Sequence, residues 1–183
     1  MFIGITGTFG AGKGTVAKFF VSKGFKHYSS SDLICEYLDK EKLDHTRQNM
    51  ITMANKLRAQ YGTGFIVETF LKRAKDQDAV MESIRSLGEV EELRKHNGIL
   101  LAVDAPIEQR YKRILKRKSS KDLIDFQTFK EQEESEMHGS GPKQQIIACI
   151  NEADFHIDNK YTIQELYKKL EVIYNEIKKT FMG

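Results

Sequence analysis

The chain has 183 residues, of which 40% are hydrophobic and 30% charged, and it contains only two prolines. This length fits one domain that buries its own core, and this composition is that of a folded globular protein without a disordered linker. Lys and Arg outnumber Asp and Glu by only three, 29 against 26. The overall charge therefore does not by itself indicate a nucleic-acid or membrane partner.

The cysteines and the apolar segments indicate a soluble protein of the cytoplasm. Cys35 and Cys149 are far apart and lack the paired spacing of a metal site, so we expect reduced, half-buried thiols. Residues 1–6 lack the basic leader and long apolar stretch of a signal peptide. The longest later apolar run, 99–103, is far shorter than the ~20 residues needed to span a bilayer.

Short β-rich runs alternate with longer helical patterns along the chain. This alternation predicts an α/β fold with a parallel sheet and helices on both faces. Ligands of such sheets bind beyond the carboxyl ends of the strands, so the residues that follow each strand are the candidate site. The predicted strands are 2–6, 25–29, Ala79–Glu82, Ile99–Asp104 and 154–157.

A glycine-rich segment, residues 7–15, follows the first strand and opens a helix; we call it the phosphate loop. Its glycines let backbone N–H groups converge on phosphate oxygens, and Lys13 supplies a mobile cation for the β and γ phosphates. The alternative is a flexible turn that only joins a strand to a helix. The predicted nucleotide-binding residues of this loop are Gly7, Phe9, Gly10, Ala11, Gly12, Lys13, Gly14 and Thr15.

Two predicted helices begin with a capping box, Ser86 with Glu89 and Thr162 with Glu165. In the last helix, apolar residues recur at steps of three and four, which predicts a stripe packed in the core. These residues are Ile163, Leu166, Leu170, Ile173 and Ile177.

With these motifs, nearly the whole chain resembles the P-loop superfamily of nucleoside monophosphate kinases and dephospho-CoA kinases. More narrowly, it resembles archaeal and bacterial nucleotide kinases that are similar to dephospho-CoA kinase. The resemblance implies a three-layer P-loop kinase fold with a five-stranded parallel sheet, formed by one domain of residues 1–183. It also implies an acceptor-binding insertion at about 32–75 and a small mobile lid at about 118–142, with Gly139 and Gly141 as candidate hinge positions.

The resemblance also implies ATP and Mg²⁺ as cofactors. The strict loop pattern has Ser or Thr directly after the lysine, whereas here Gly14 intervenes. The ending Gly-Lys-Gly-Thr is similar to that of adenylate kinases, which implies that Thr15 is the hydroxyl near Mg²⁺. Glu82 ends an apolar strand, as in the second metal-side motif of P-loop enzymes, and would act on Mg²⁺ partly through water.

Residues after the second and third strands resemble those on the acceptor side of these kinases. Asp32 stands where an aspartate acts as a general base or positions Mg²⁺ and substrate; alternatively, it only caps its helix. Arg85 resembles the arginine that grips the acceptor phosphate in adenylate kinases, because a guanidinium fork suits a phosphate dianion. The alternative is a surface arginine at a helix start.

The basic helix after the fourth strand resembles the lid entrance of the superfamily. Arg113 and Arg117 are four residues apart and share a helical face. The resemblance implies that they neutralise the phosphoryl group in flight or stack on adenine, whereas the alternative is a solvated basic face. The segment 153–159 is similar to dephospho-CoA kinases, which implies that Asn159 and Lys160 border the adenine; Asn159 is otherwise a turn residue.

The predicted activity is transfer of the ATP γ-phosphate to a nucleotide-type acceptor. The third strand ends in Glu-Ser-Ile-Arg rather than in the Asp-hydrophobic-Pro-Leu-Leu run of dephospho-CoA kinases, and Arg47 and Arg58 lie in the presumed acceptor region. We therefore rank a nucleoside or deoxynucleoside monophosphate above dephospho-CoA as the acceptor.

A nucleotide-dependent binding or regulatory ATPase module is the alternative from another class. In that case the basic lid contacts nucleic acid or a partner. The near-neutral total charge counts against nucleic acid, and we expect no membrane partner. The sequence leaves monomer and homodimer open.

Overall fold

The computed structural model describes residues 1–75, 77–116, 124–141 and 143–182. Helices and strands alternate along these residues as the sequence predicts. In chain order they are β1 (Phe2–Gly7), α1 (Lys13–Ser22), β2 (Lys26–Ser29), α2 (Ser30–Lys40), α3 (Arg47–Tyr61), α4 (Phe65–Ala74), β3 (Ala79–Glu82), α5 (Leu87–Lys95), β4 (Ile99–Asp104), α6 (Ile107–Lys116), α7 (Phe126–Met137), α8 (Ile146–Asn151), β5 (Phe155–Asp158) and α9 (Ile163–Met182).

The strands of the described residues form one five-stranded parallel sheet in the order β2-β3-β1-β4-β5. The predicted fold class is therefore confirmed, and the predicted strands agree with the observed ones to within one residue at each end. β1 lies in the centre, with β3 on one side and β4 on the other. The chain thus reverses its direction of winding at β1, and the crevice beyond the carboxyl end of β1 is the site where such sheets bind ligands.

Side chains alternate between the two faces of the sheet, and each face is covered by helices. On one face, Ile3 and Ile5 of β1 pack with apolar residues of α1 and α9, and this cluster contains Phe20 and Leu170. On the other face, Met81 of β3 packs with residues of α4, α5 and α8. Both faces are buried, as expected for parallel strands that read as continuous apolar runs.

The start of α9 differs from the prediction in one residue. Leu166, Leu170 and Ile177 are buried, whereas Ile163 is 63% exposed. Ile163 is the first residue of the helix and lies beyond the carboxyl edge of the sheet, where it borders a cavity instead of the core. The capping box at this start is confirmed, because the Thr162 N–H donates to the Glu165 carboxylate and the Glu165 N–H donates to Thr162 Oγ1.

The capping box predicted for α5 is only half formed. The Glu89 N–H donates to Ser86 Oγ as predicted, at 3.3 Å. The Glu89 carboxylate, however, accepts from the Arg85 N–H at 2.7 Å instead of from the N–H of Ser86. Glu89 is fully buried and also binds Arg58, so a buried cation draws the carboxylate away from the helix start.

Helices α2, α3 and α4 lie between β2 and β3, in the segment where the sequence predicts an acceptor-binding insertion. Helices α2 and α3 share a small apolar cluster around Leu38 and Leu57. In the predicted lid, the structure describes α7 and a few residues after it. One face of α7 is buried, and its residues are Phe129, Glu133 and Glu136. No helix in the described part of the chain is long and apolar enough to cross a bilayer.

Candidate functional site

A cavity of about 500 Å³ opens beyond the carboxyl end of β1. It brings together the phosphate loop, the ends of β2 and β3, helix α6 and the start of α9. Its lining residues are Phe9, Gly10, Gly12, Lys13, Gly14, Thr15, Lys18, Ser31, Glu82, Ser83, Arg85, Arg113, Asn159, Tyr161, Ile163 and Leu166.

The phosphate loop keeps its backbone close to two neighbours, and only glycine permits this. Gly7 has φ of +130°, and a Cβ at this position would lie 1.9 Å from the carbonyl oxygen of Val103 on β4. Gly12 has φ of +101°, and a Cβ there would lie 2.4 Å from Asn159 Nδ2. Both residues combine a left-handed φ with a close approach, which side chains do not tolerate.

The positive groups of the loop face its own carbonyls and the cavity. Lys13 is 7% exposed, and its Nζ donates to the carbonyls of Gly7 and Thr8 at 2.9 and 2.7 Å. The N-cap residue of helix α1 is Gly12, which provides no side-chain cap for the first turn. The uncapped N–H groups and the ammonium group together give this end of the cavity a positive potential that fits phosphate oxygens.

Glu82 lies beside the start of α1. A Cβ at Gly14 would lie 3.5 Å from Glu82 Oε1, and both Glu82 and Thr15 line the cavity. The other carboxylate oxygen, Oε2, is 3.0 Å from His27 Nε2 of β2. A carboxylate and a hydroxyl that line the same cavity are the hard oxygen ligands that Mg²⁺ prefers.

Ser83, the residue after Glu82, has a φ of +72° and is 6% exposed. Its backbone is fixed from two sides, because its N–H donates to the Ile5 carbonyl and its own carbonyl accepts from Ser30 Oγ. A left-handed serine is strained, and such strain persists only where the surroundings hold the residue. The turn that carries Glu82 and Arg85 is therefore rigidly positioned.

Arg85 lines the cavity and meets two side chains from later in the chain. Its Nη1 donates to Glu136 Oε2 of α7 at 2.7 Å and to Gln144 Oε1 at 2.6 Å. The other oxygen of Glu136 accepts from Arg47 Nη2 of α3. Arg47 stacks on the phosphate loop, with its Cζ 3.7 Å from the centroid of the Phe9 ring. Two guanidinium groups thus converge on one carboxylate next to the phosphate loop.

On the other side of the loop, Arg113 and Asn159 hold the Ala11 carbonyl. Asn159 Nδ2 donates to it at 2.7 Å and Arg113 Nη1 at 3.4 Å, while Arg113 Nη2 donates to the Asn159 carbonyl at 2.7 Å. Both residues line the cavity. Arg117, the predicted partner of Arg113, lies outside the described residues.

Arg110, one turn before Arg113, ties three segments together. Its Nε donates to the Ala105 carbonyl at 2.7 Å and its Nη1 to the Phe9 carbonyl at 3.1 Å. Its guanidinium group also forms a bidentate pair with Glu133 of α7. Arg110 is 5% exposed, so it acts as a buried link between the phosphate loop and α7.

Asp32 is exposed and is not among the residues that line the cavity, whereas its neighbour Ser31 is. The side-chain cap of α2 comes from Ser29, whose Oγ accepts from the Asp32 N–H at 3.3 Å. The alternative that Asp32 caps this helix is therefore wrong, because Ser29 is the capping residue. The proposed role of Asp32 toward an acceptor stays a prediction.

Beneath Arg85 lies a buried ion pair that the sequence does not reveal as a pair. Arg58 Nε donates to Glu89 Oε1 at 2.8 Å. Among the described residues, Arg58 Nη1 and Nη2 find no hydrogen-bond partner. Cys149 lies close by and is fully buried rather than half-buried as predicted, and this burial raises the pKa of its thiol to about 12.

Sequence reasoning missed the residues of α7 that meet the site. Phe129, Glu133 and Glu136 are spaced four and three apart, so they share one helical face. That spacing was a usable signal, but the arginine partners of the two glutamates are distant in sequence.

The parallel sheet with a glycine-rich loop after its central strand defines a P-loop kinase-like fold. The chain belongs to the AAA domain family (AAA_18), whose model matches residues 3–139. A UPF0200 protein of Sulfurisphaera tokodaii is 32% identical over 179 residues, covering 96% of each chain. A UPF0200 protein of Pyrococcus abyssi is 32% identical over 187 residues, covering 97% of each.

Solved structures support the same class by their fold. A structure titled TT1252 from Thermus thermophilus superposes with a TM-score of 0.64 at 20% identity, covering 96% of this chain and 97% of that one. A shikimate kinase from Aquifex aeolicus superposes with a TM-score of 0.57 at 16% identity, covering 100% of this chain and 99% of that one. A dephospho-CoA kinase from Campylobacter jejuni superposes with a TM-score of 0.56 at 19% identity, covering 97% of each chain. The resemblance to P-loop kinases is therefore confirmed at the level of the fold.

Proposed function

We propose that this protein is an ATP-dependent kinase that transfers the γ-phosphate to a nucleoside or deoxynucleoside monophosphate. The observation that carries the proposal is the convergence of Arg85 and Arg47 on one anionic group beside the phosphate loop. Paired guanidinium forks suit the terminal phosphate of an acceptor. The phosphate loop lies next to them, so donor and acceptor phosphates would meet in one cavity.

On the donor side, the loop N–H groups would bind the β and γ phosphates of ATP. Lys13 is already held at the loop by two carbonyls and would turn to the phosphate oxygens when they arrive. Arg113 lines the same cavity and would neutralise charge on the migrating phosphoryl group. Tyr161 and Ile163, at the outer rim of the cavity, offer apolar surface to the nucleoside of ATP.

Thr15 and Glu82 would hold Mg²⁺ at the phosphate loop. Both line the cavity, and Glu82 lies next to Gly14. The ion supplies Lewis-acid neutralisation of the phosphate oxygens when it is bound. His27, whose Nε2 lies 3.0 Å from Glu82 Oε2, would orient this carboxylate.

A hydroxyl acceptor, such as the ribose of dephospho-CoA, needs a general base near its oxygen. Within the described residues, the carboxylate that lines the cavity is that of Glu82, which faces the metal side. Asp32 is exposed and does not line the cavity. A phosphate acceptor needs no such base, because its oxygens are already anionic. The side chains around the cavity therefore favour a monophosphate over dephospho-CoA.

The test is ADP release from Mg-ATP across a panel of nucleoside monophosphates, deoxynucleoside monophosphates, dephospho-CoA and shikimate. We expect saturable stimulation by at least one monophosphate, larger than that by dephospho-CoA, and loss of this stimulation in Lys13→Ala. Saturable turnover of dephospho-CoA without a response to any monophosphate would reverse the ranking. If the whole panel is silent and nucleic-acid affinity falls steeply with salt, the binding-module alternative is correct.

A further inference from the structure

Glu136 of α7 occupies an unusual position for a carboxylate. Glu136 is 3% exposed. Its two carboxylate oxygens accept from two different guanidinium groups, those of Arg47 and Arg85. These arginines come from α3 and from the turn after β3, so three separate segments meet at this one carboxylate. The carboxylate therefore lies where we expect the acceptor phosphate.

Among the described ion pairs at this point, two guanidinium groups share one carboxylate. Arg47 and Arg85 carry two positive charges, and Glu136 contributes one negative charge. A phosphate dianion added beside Glu136 would leave excess negative charge and two repelling anionic groups in a largely buried position. A dianion that replaces Glu136 would meet both guanidinium groups without this repulsion. A carboxylate monoanion, in contrast, could bind with Glu136 in place.

The second acidic residue on the same face of α7 is arranged differently. Glu133 forms a bidentate pair with Arg110, which also donates to the carbonyls of Ala105 and Phe9 and lies 3.7 Å from the Asp104 carboxylate. Arg110 is not among the residues that line the cavity, and neither are Arg47 and Glu136. Arg85 lines the cavity and uses Nη1 for both of its side-chain contacts. Glu133 is thus a fixed anchor of α7, whereas Glu136 lies where a ligand can compete with it.

We propose that Glu136 is a resident anion of the acceptor subsite, which the acceptor phosphate displaces, and that it makes the subsite selective for dianions. The proposal rests on the proposed function of this cavity as an acceptor site. Displacement of Glu136 removes two of the ion pairs that dock α7 against α3 and the turn after β3. The end of α7 that carries Glu136 therefore loosens when the acceptor phosphate binds, while Glu133 keeps the preceding turn attached.

The test measures binding of inorganic phosphate at pH 8, by calorimetry, to wild type and to Glu136→Gln. Glutamine keeps the shape but removes the competing charge, so we expect phosphate to bind at least about tenfold more tightly, the size of one lost charge-assisted contact. The affinity for acetate, a monoanion, should rise much less. The matched control is Glu134→Gln on the same helix, where the side chain is 78% exposed; it should bind phosphate as wild type does.

Phosphate also fits the phosphate loop, so each variant is measured again with Arg85→Ala. The gain in phosphate affinity from Glu136→Gln should vanish in that background, because one of the two arginines for which Glu136 and phosphate compete is gone. Hydrogen exchange gives a second readout: phosphate should accelerate exchange at 134–137 in wild type, and Glu136→Gln should already exchange faster. An unchanged or weaker phosphate affinity in a folded Glu136→Gln, or a gain that persists without Arg85, would overturn the proposal. Neither measurement requires turnover, so a silent acceptor panel would reject the proposed function without deciding this one.

Discussion

Arg58 Nε lies 2.8 Å from Glu89 Oε1, and neither side chain has exposed surface. The second oxygen of Glu89 accepts from the Arg85 N–H at 2.7 Å. One buried carboxylate therefore connects helix α3 to the turn that carries Arg85. A buried pair of this kind costs most when only one partner is removed, because the remaining charge stays buried without compensation.

We expect Arg58→Met and Glu89→Gln each to lower the free energy of unfolding by about 3–5 kcal/mol. The control is the surface pair of Arg73 and Glu36, whose side chains are 42% and 45% exposed; Arg73→Met should cost no more than about 1 kcal/mol. Urea unfolding measures the free energy of unfolding of all three variants. If the buried variants cost as little as the surface control, the pair is not the structural link that its geometry indicates.

Lys13→Ala should abolish nearly all phosphoryl transfer and leave the fold intact. The lysine would act on transferring charge. Although it is buried rather than exposed, its hydrogen bonds include two carbonyls of its own loop. Initial rates with Mg-ATP measure the loss, and Lys26→Ala on the exposed surface of β2 is the control. Activity within about threefold of wild type would remove the lysine from the mechanism.

Arg85→Ala should weaken acceptor binding more than ATP binding. Loss of a charge-assisted hydrogen bond costs roughly 1.5–3 kcal/mol, which corresponds to about a ten- to hundredfold increase in acceptor KM. Arg94→Ala on α5, whose partners are Asp154 and nearby carbonyls, is the matched control. A selective rise in the KM for ATP would argue against the assignment.

Cys149 should not react with thiol reagents in the folded protein. Burial, and to a smaller extent the charge of Glu89, raises the pKa of its thiol to about 12, and the reactive thiolate forms only as pH approaches that value. Iodoacetamide at pH 8 should modify Cys149 only after denaturation, as measured by mass spectrometry, whereas the half-buried Cys35 should react first. Rapid modification of Cys149 in native protein would show that the region under Arg85 opens readily.

The strands and the phosphate loop could be predicted from the sequence because their signals are local. Buried parallel strands appear as short apolar runs, and the loop motif depends on adjacent residues. The exposed Ile163 could not be separated from its stripe, because helical periodicity does not tell which turn extends past the sheet.

The partners of the charged residues could not be predicted for a different reason. Arg85 and Glu136 are 51 positions apart, and Arg110 and Glu133 are 23 apart. Their pairing depends on how α7 packs on the sheet, and no local pattern encodes that packing. The acceptor region was predicted as a set of arginines, but the carboxylates that meet them were missed.

The close approach of Gly7 to the Val103 carbonyl has a consequence for mutational surveys. Because this glycine pairs within the sheet as well as opening the nucleotide motif, a side chain there would force β1 and β4 apart. Variants at Gly7 should therefore disappear from the soluble fraction, whereas Lys13 variants should remain abundant and inactive. A library scored by growth alone would attribute to nucleotide binding a defect that belongs to folding.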